Sequence, residues 1–206
     1  MKHLLSIVIL IGSVSAVLAV GSVSALLAAP RIADPDWPCI QPLVPVLSAG
    51  MLWSGPAIDG DWHAEPKVAA LVEKIAPRRV TAAEGEQAIT EFTKALGPER
   101  GRLRALAFAG LLEESNHQRG EVITKIKDLA ERQRKVADLV SELTTQMDAL
   151  PLDPVGEEAV LAKELNERWS FVSRTHTEVQ RTMRYICEIP VQIDSRLGNW
   201  ARALGS

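Results

Sequence analysis

Residues 121–186 read EVITKIKDLAERQRKVADLVSELTTQMDALPLDPVGEEAVLAKELNERWSFVSRTHTEVQRTMRYI. In the first half, Val122, Ile126, Leu129, Gln133, Val136, Val140, Leu143, Met147 and Leu150 recur at alternating steps of four and three. That spacing puts all of them on one stripe of a helix. Pro151-Leu152-Asp153-Pro154 then turns the chain, with Asp153 expected as N-cap and Pro154 in the first helical position. The second half repeats the pattern with Ala162, Leu165, Trp169, Val172, His176, Val179, Met183 and Ile186. Opposite charges at i,i+4 (Glu121 with Lys125, Asp128 with Arg132, Glu131 with Lys135) belong on the outer faces.

Two striped helices joined by a short turn must run antiparallel. With Leu150 set near Val155, facing positions sum to about 305. Each stripe has one polar member, Gln133 and His176, and this register brings them within about one turn of each other. They are expected to meet inside the hairpin as a mutually satisfied buried pair that fixes its register. The fold class is therefore all-α: a helical bundle dominated by a long antiparallel helical hairpin.

Outward from the hairpin, further helices are expected. Pro66 opens one that runs to about Ala76, with Val68, Leu71, Val72 and Ile75 on one face. Thr81-Ala82-Ala83-Glu84 has the form of a capping box and starts a second, ending near Leu96 before Gly97-Pro98. A third is read from about Glu99 to Glu114, and its small apolar residues (Ala107, Ala109, Gly110) suit close helix packing. Pro190 makes a kink or break after Cys187, and Ile193, Leu197 and Trp200 continue the apolar stripe toward the end of the chain.

Residues 30–65 differ in kind. Seven of the twelve prolines lie between Pro30 and Pro66, a density that excludes long helices. Three of the five tryptophans, Trp37, Trp53 and Trp62, are there too, among apolar residues too numerous for a free linker. The segment reads as a Pro/Trp-rich irregular strap across the helical domain of residues 66–206. Its tryptophans serve as packing between helices or, alternatively, as the lining of a ligand pocket.

The first 29 residues read as an export signal: Lys2 and His3, then no charged residue from Leu4 to Pro30. An uncleaved inner-membrane anchor is the alternative, since about 20 apolar residues span a bilayer. Either way the remainder is expected to be periplasmic or otherwise extracytoplasmic, with membrane contact only through an uncleaved N-terminal segment.

An oxidising compartment bears on the only two cysteines. Cys39 lies in the strap and Cys187 at the open end of the hairpin, and each is the other's sole available partner. A Cys39–Cys187 disulfide is expected to pin the strap down. The alternative is a copper or zinc site, or a redox carrier, built from Cys39, Cys187 and His117, because the register above places His117 beside Cys187. The two readings exclude each other, since a disulfide consumes both thiolates.

Nothing else in the sequence signals chemistry. It has no nucleophile elbow, phosphate-binding glycine loop, dinucleotide fingerprint or His-Glu-x-x-His motif, and no cofactor is implied. A net charge of −3 gives no pull toward nucleic acid. The sequence thus points to an exported, non-enzymatic helical binding or scaffold protein of the cell envelope, with a protein partner there.

Overall fold

A computed structural model describes residues 34–205. The expected leader and the first residues of the strap lie outside that span. Among the described residues there are helices and no strand: α1 (Ala49–Leu52), a 3-10 turn (Trp62–Ala64), α2 (Pro66–Ile75), α3 (Ala82–Lys94), α4 (Arg100–Asp148), α5 (Glu157–Ile186) and α6 (Glu188–Gly205). The all-α class and the dominant hairpin stand. No described helix is long and apolar enough to cross a membrane.

The local signals act as expected at α2 and α3. Pro66 occupies the start of α2, whose Val68, Leu71, Val72 and Ile75 are all buried. Thr81 and Glu84 form the capping box: Glu84 N–H donates to Thr81 Oγ1 at 3.2 Å and Thr81 N–H donates to Glu84 Oε2 at 2.8 Å. The Thr81 N–H, and after it the Thr81 hydroxyl, which also donates to Glu84 Oε2 at 2.8 Å, hold the Glu84 carboxyl below its ordinary pKa.

The main core gathers α2, α3, the first third of α4 and α6 around Phe108, Leu106, Leu111, Leu197 and Trp200. Two glycines admit indole rings that a Cβ would exclude. A methyl on Gly85 would lie 2.2 Å from the Trp200 ring, and one on Gly110 would lie 2.8 Å from Trp62 and Val72. Trp200 Nε1 donates to the Ala82 carbonyl at 3.0 Å, so this buried indole carries no unpaired donor.

Three expectations are corrected. The helix read over 99–114 and the striped helix from 120 are one helix of 49 residues, Arg100–Asp148. Residues 115–119 contain neither Gly nor Pro, and the buried Ser115 and Arg119 carry the stripe across them. Next, α5 does not begin at Asp153-Pro154. Its N-cap is Gly156, at φ +59° and ψ −127°, a conformation that suits glycine, and the helix starts at Glu157. Glu157 and Glu158 then sit in the first turn, where the helix dipole favours carboxylates.

The register moves accordingly. Trp169 Nε1 donates to Thr144 Oγ1 at 3.0 Å, Met183 packs with Ala130, and Gln133 and Gln180 line one groove. Facing positions therefore sum to about 313, roughly one heptad from the expected register. The first turns of α5 reach past the end of α4, and Val160 and Leu161 are exposed there. Gln133 and His176 are each half-buried on their own helix, and no hydrogen bond joins them. A stripe repeating every seven residues cannot distinguish registers that differ by seven; the turn decides.

Candidate functional site

The site is built where the strap meets the base of the hairpin. The strap enters through a tight turn, with Trp37 N–H donating to the Asp34 carbonyl at 3.0 Å and Asp36 N–H to Asp34 Oδ1 at 2.9 Å. Two cations of α4 hold that turn: Lys127 Nζ lies 2.7 Å from Asp34 Oδ2, and Arg134 lies 2.7 Å from Asp36 Oδ1. The Lys127 bond, helped by the Asp36 N–H, holds the Asp34 carboxyl below its usual range.

Cys39 and Cys187 are joined in a disulfide, with Cα atoms 5.6 Å apart. On either side of it the strap is fixed by hydrogen bonds. Trp37 Nε1 donates to the Gln41 carbonyl at 2.7 Å, and Gln41 Nε2 donates to the Cys187 carbonyl. Beneath the disulfide lies a second apolar cluster of Val122, Ile126, Ala130, Met183 and Ile193, with Trp37 against it.

Beyond this clamp an open groove of about 670 Å³ is walled by Pro38, Ile40 and Gln41 of the strap, Met183 and Arg184 of α5, and Val191 of α6. Ile40 is fully exposed and Val191 nearly half exposed, so the floor and one wall offer apolar surface to solvent. Arg184 and Glu188 are the only ionisable side chains that line it. A second concavity of about 560 Å³ continues along α5, lined by Trp169, Ser170, Ser173, Thr177 and Arg181. Ser173, Thr177, Gln180, Arg184 and Cys187 follow steps of four and three, so the two concavities share one flank of α5.

The residues singled out from the sequence are dispersed. With both sulfurs bonded to each other, Cys39 and Cys187 offer no thiolate to copper or zinc. His117 does not approach them; it is an exposed side chain of α4 lying 3.5 Å from Glu121. Its expected place beside Cys187 depended on the register that the turn overrode. Among the described residues no group of three His, Cys, Asp or Glu side chains is arranged to hold a metal ion.

The three tryptophans do not line a common pocket. Trp53 stacks on Phe108 with ring centroids 4.8 Å apart, and Trp62 is buried against Gly110 with its Nε1 donating to Glu113 at 2.9 Å. Trp37 belongs to the cluster under the disulfide, so all three pack the strap onto helices.

Two arginines were missed. Arg119 is almost fully buried; its guanidinium donates to the Val44 carbonyl at 2.8 Å and pairs with Asp194 at 2.5 Å, tying strap, α4 and α6 together. Arg196, also buried, donates to the carbonyls of Ala76, Pro77 and Val80 and to Gln118, and lies 4.7 Å above the Trp200 ring. It closes the C-terminal end of α2, where carbonyls lack helical partners. Burial, with Arg78 nearby, lowers its pKa. The signal was present for Arg119: it is the one charged residue in the run Leu111-Ser115-Arg119-Val122, which continues the apolar stripe.

An all-α protein with a disulfide-clamped strap and a two-helix arm is the class that these features define. No known protein family, curated protein or solved structure matches this chain.

Proposed function

We propose that the chain is an exported, non-enzymatic binding or scaffold protein of the cell envelope, with the α4–α5 hairpin as its docking arm. The observation that carries this reading is the arm itself. From Gln133 to Asp148 on α4 and from Glu157 to Gln180 on α5, only Leu143 and Leu165 are buried, and Phe171 and Val160 are exposed. A structural need for compactness does not account for so long a projection with so little burial, whereas a surface presented to a protein partner does.

Export is supported by the uncharged stretch Leu4–Pro30 and by the disulfide, which suits an oxidising compartment. A binding rather than a catalytic use is supported by the groove, whose two ionisable lining residues supply no nucleophile with its base.

The test is in-cell photo-cross-linking from position 171, on the outer flank of α5, followed by intact mass of the recovered chain. The expected result is a discrete protein adduct and a chain whose cysteines alkylate only after reduction. Free thiols in the native fraction, or no adduct either from position 171 or from the position of Tyr185, also exposed on α5, would overturn the reading.

A further inference from the structure

The hairpin is electrically polarised along its length. Between Asp138 and Arg168, the outer half, eight carboxylates face two cations, Lys163 and Arg168, a net charge of −6. The inner half, residues 121–137 and 169–188, holds eight cations and five carboxylates, a net charge of +3 that Asp34 and Asp36 of the strap, paired with Lys127 and Arg134, reduce to +1. No residue of the outer half takes part in an ion pair among the described residues, so the acidic charge there is uncompensated. On the inner half, Arg174 and Arg184 also have no carboxylate partner among them.

Apolar surface follows the same division. At the tip Leu152 is fully exposed and Val155 is 76% exposed, beside Asp153, Glu157 and Glu158. At the base the groove presents Ile40 and Val191 beside Arg184 and Glu188. Each end of the arm therefore has an apolar centre: carboxylates alone surround the tip, while at the base Arg174 and Arg184, neither ion-paired among the described residues, outnumber Glu188.

We propose that the occupant of the basal groove is the hairpin tip of a second copy of this chain, in a two-fold dimer of antiparallel arms. Two copies necessarily share one distance from tip to groove. A two-fold axis near the middle of the arm therefore seats both tips at once, and each acidic tip lies along the other arm's basic half. Near that axis the shared flank of α5 carries Ser170 and Ser173, small enough for the two α5 helices to approach closely. The overlap is about 25 residues, or about 40 Å of helix, and a face about 20 Å wide gives on the order of 800 Å² per copy. That is the size of a standard specific interface.

The inference rests on reading the arm as a docking surface, and goes further by naming its occupant. The test uses the full chain with its disulfide intact and two variants, all of whose altered side chains are exposed. One reverses the tip (Asp153→Lys with Glu157→Lys); the other reverses the groove flank (Arg181→Glu with Arg184→Glu). By light scattering at low salt, the unaltered chain is expected to have twice the mass of one chain and each variant to self-associate at least tenfold more weakly. Mixed in equal amounts, the two variants are expected to recover the dimer, because each tip then meets a groove of opposite sign.

A monomeric unaltered chain, a dimer indifferent to both reversals, or a mixture that stays monomeric would each overturn the proposal. Adducts from position 171 with another protein would persist in those cases, so failure of the dimer and failure of the docking-arm reading are separable.

Discussion

Between Leu103 and Leu111, α4 buries Leu103, Ala105, Leu106, Ala107, Phe108, Gly110 and Leu111; between Gln133 and Asp148 the same helix buries Leu143 alone. The first stretch is apolar nearly all round because α2, α6 and the Trp62 turn surround it. The second has one partner, α5, and keeps one apolar stripe. A single unbroken helix thus belongs to a core at one end and to an arm at the other, and the disulfide and the Arg119–Asp194 pair sit between the two regimes. Stability should divide along the same line, since local opening is easiest where few apolar contacts would be lost.

Truncations on either side of that line test the division most directly. Phe108→Ala removes a fully buried ring stacked on Trp53 and is expected to cost about 3–5 kcal/mol, measured by urea unfolding. Leu143→Ala removes the arm's best-buried side chain on α4, and about 2 kcal/mol is expected, because the seam between two helices can close over the gap. By hydrogen exchange the second loss should be confined to amides of residues 137–176, with protection around Phe108 unchanged. Equal loss of protection in both places would mean that body and arm unfold as one unit.

The clamp between the regimes comes next. Replacing both cysteines by serine opens a loop of 148 residues. The chain-entropy model puts the loss at about 5 kcal/mol at most, and typical losses are about 2–4 kcal/mol. Most of it should appear as release of the strap ahead of Val44. Beyond that point the strap is held separately: Asn116 makes two hydrogen bonds to the Leu47 backbone, and Arg119 binds the Val44 carbonyl. Proteolysis of the serine variant should therefore cut near Pro38–Leu43 while Trp53 and Trp62 stay protected. Cleavage throughout residues 34–65 would show the disulfide to be the strap's main attachment.

What could be read from the sequence follows physical range. Signals that act within a turn or two were legible: the Pro66 start, the Thr81–Glu84 box and the apolar stripes of the hairpin all depend on neighbours in sequence. The disulfide was legible for another reason, since two cysteines leave one intramolecular pairing. Register was not, because a heptad repeat is degenerate by seven and the deciding residue, Gly156, acts through a left-handed backbone angle that periodicity does not reveal. The misplaced His117 descends from that one residue, whereas Gln133 and His176 lie about one turn from opposition in either register and each stays half-buried on its own helix. The groove was illegible too: it requires the strap, α5 and α6 to converge, and no local pattern reports that.

The smallest expected effect concerns the strap's electrostatic attachment. Asp34 has its carboxyl pKa lowered from 3.8, first by the bond from Lys127 and then by the Asp36 N–H, with burial opposing weakly. A carboxylate whose folded pKa lies below its unfolded value contributes stability that is complete above the unfolded value. That stability is lost as pH falls through the folded value, because protonation of the docked form then no longer lags that of the released form. The strap's first turn should thus remain docked at pH 5 and loosen progressively below about 4, while the disulfide keeps Cys39 in place. Trp37, whose indole is bonded within this turn, is the local probe. Emission of the oxidised protein should shift to the red across this interval, and the shift should be missing from Trp37→Phe, which isolates Trp37 from the other four tryptophans. Glu84 on α3, Asp61 at the far end of the strap and Glu131 on α4 also titrate below their ordinary values, but none of them is bonded to Lys127. Lys127→Met separates them: it should abolish most of the shift at Trp37 and leave the acid response of the body unchanged. An undiminished shift in that variant would assign the acid sensitivity to the body and remove the ion pair from the account of how the strap is held.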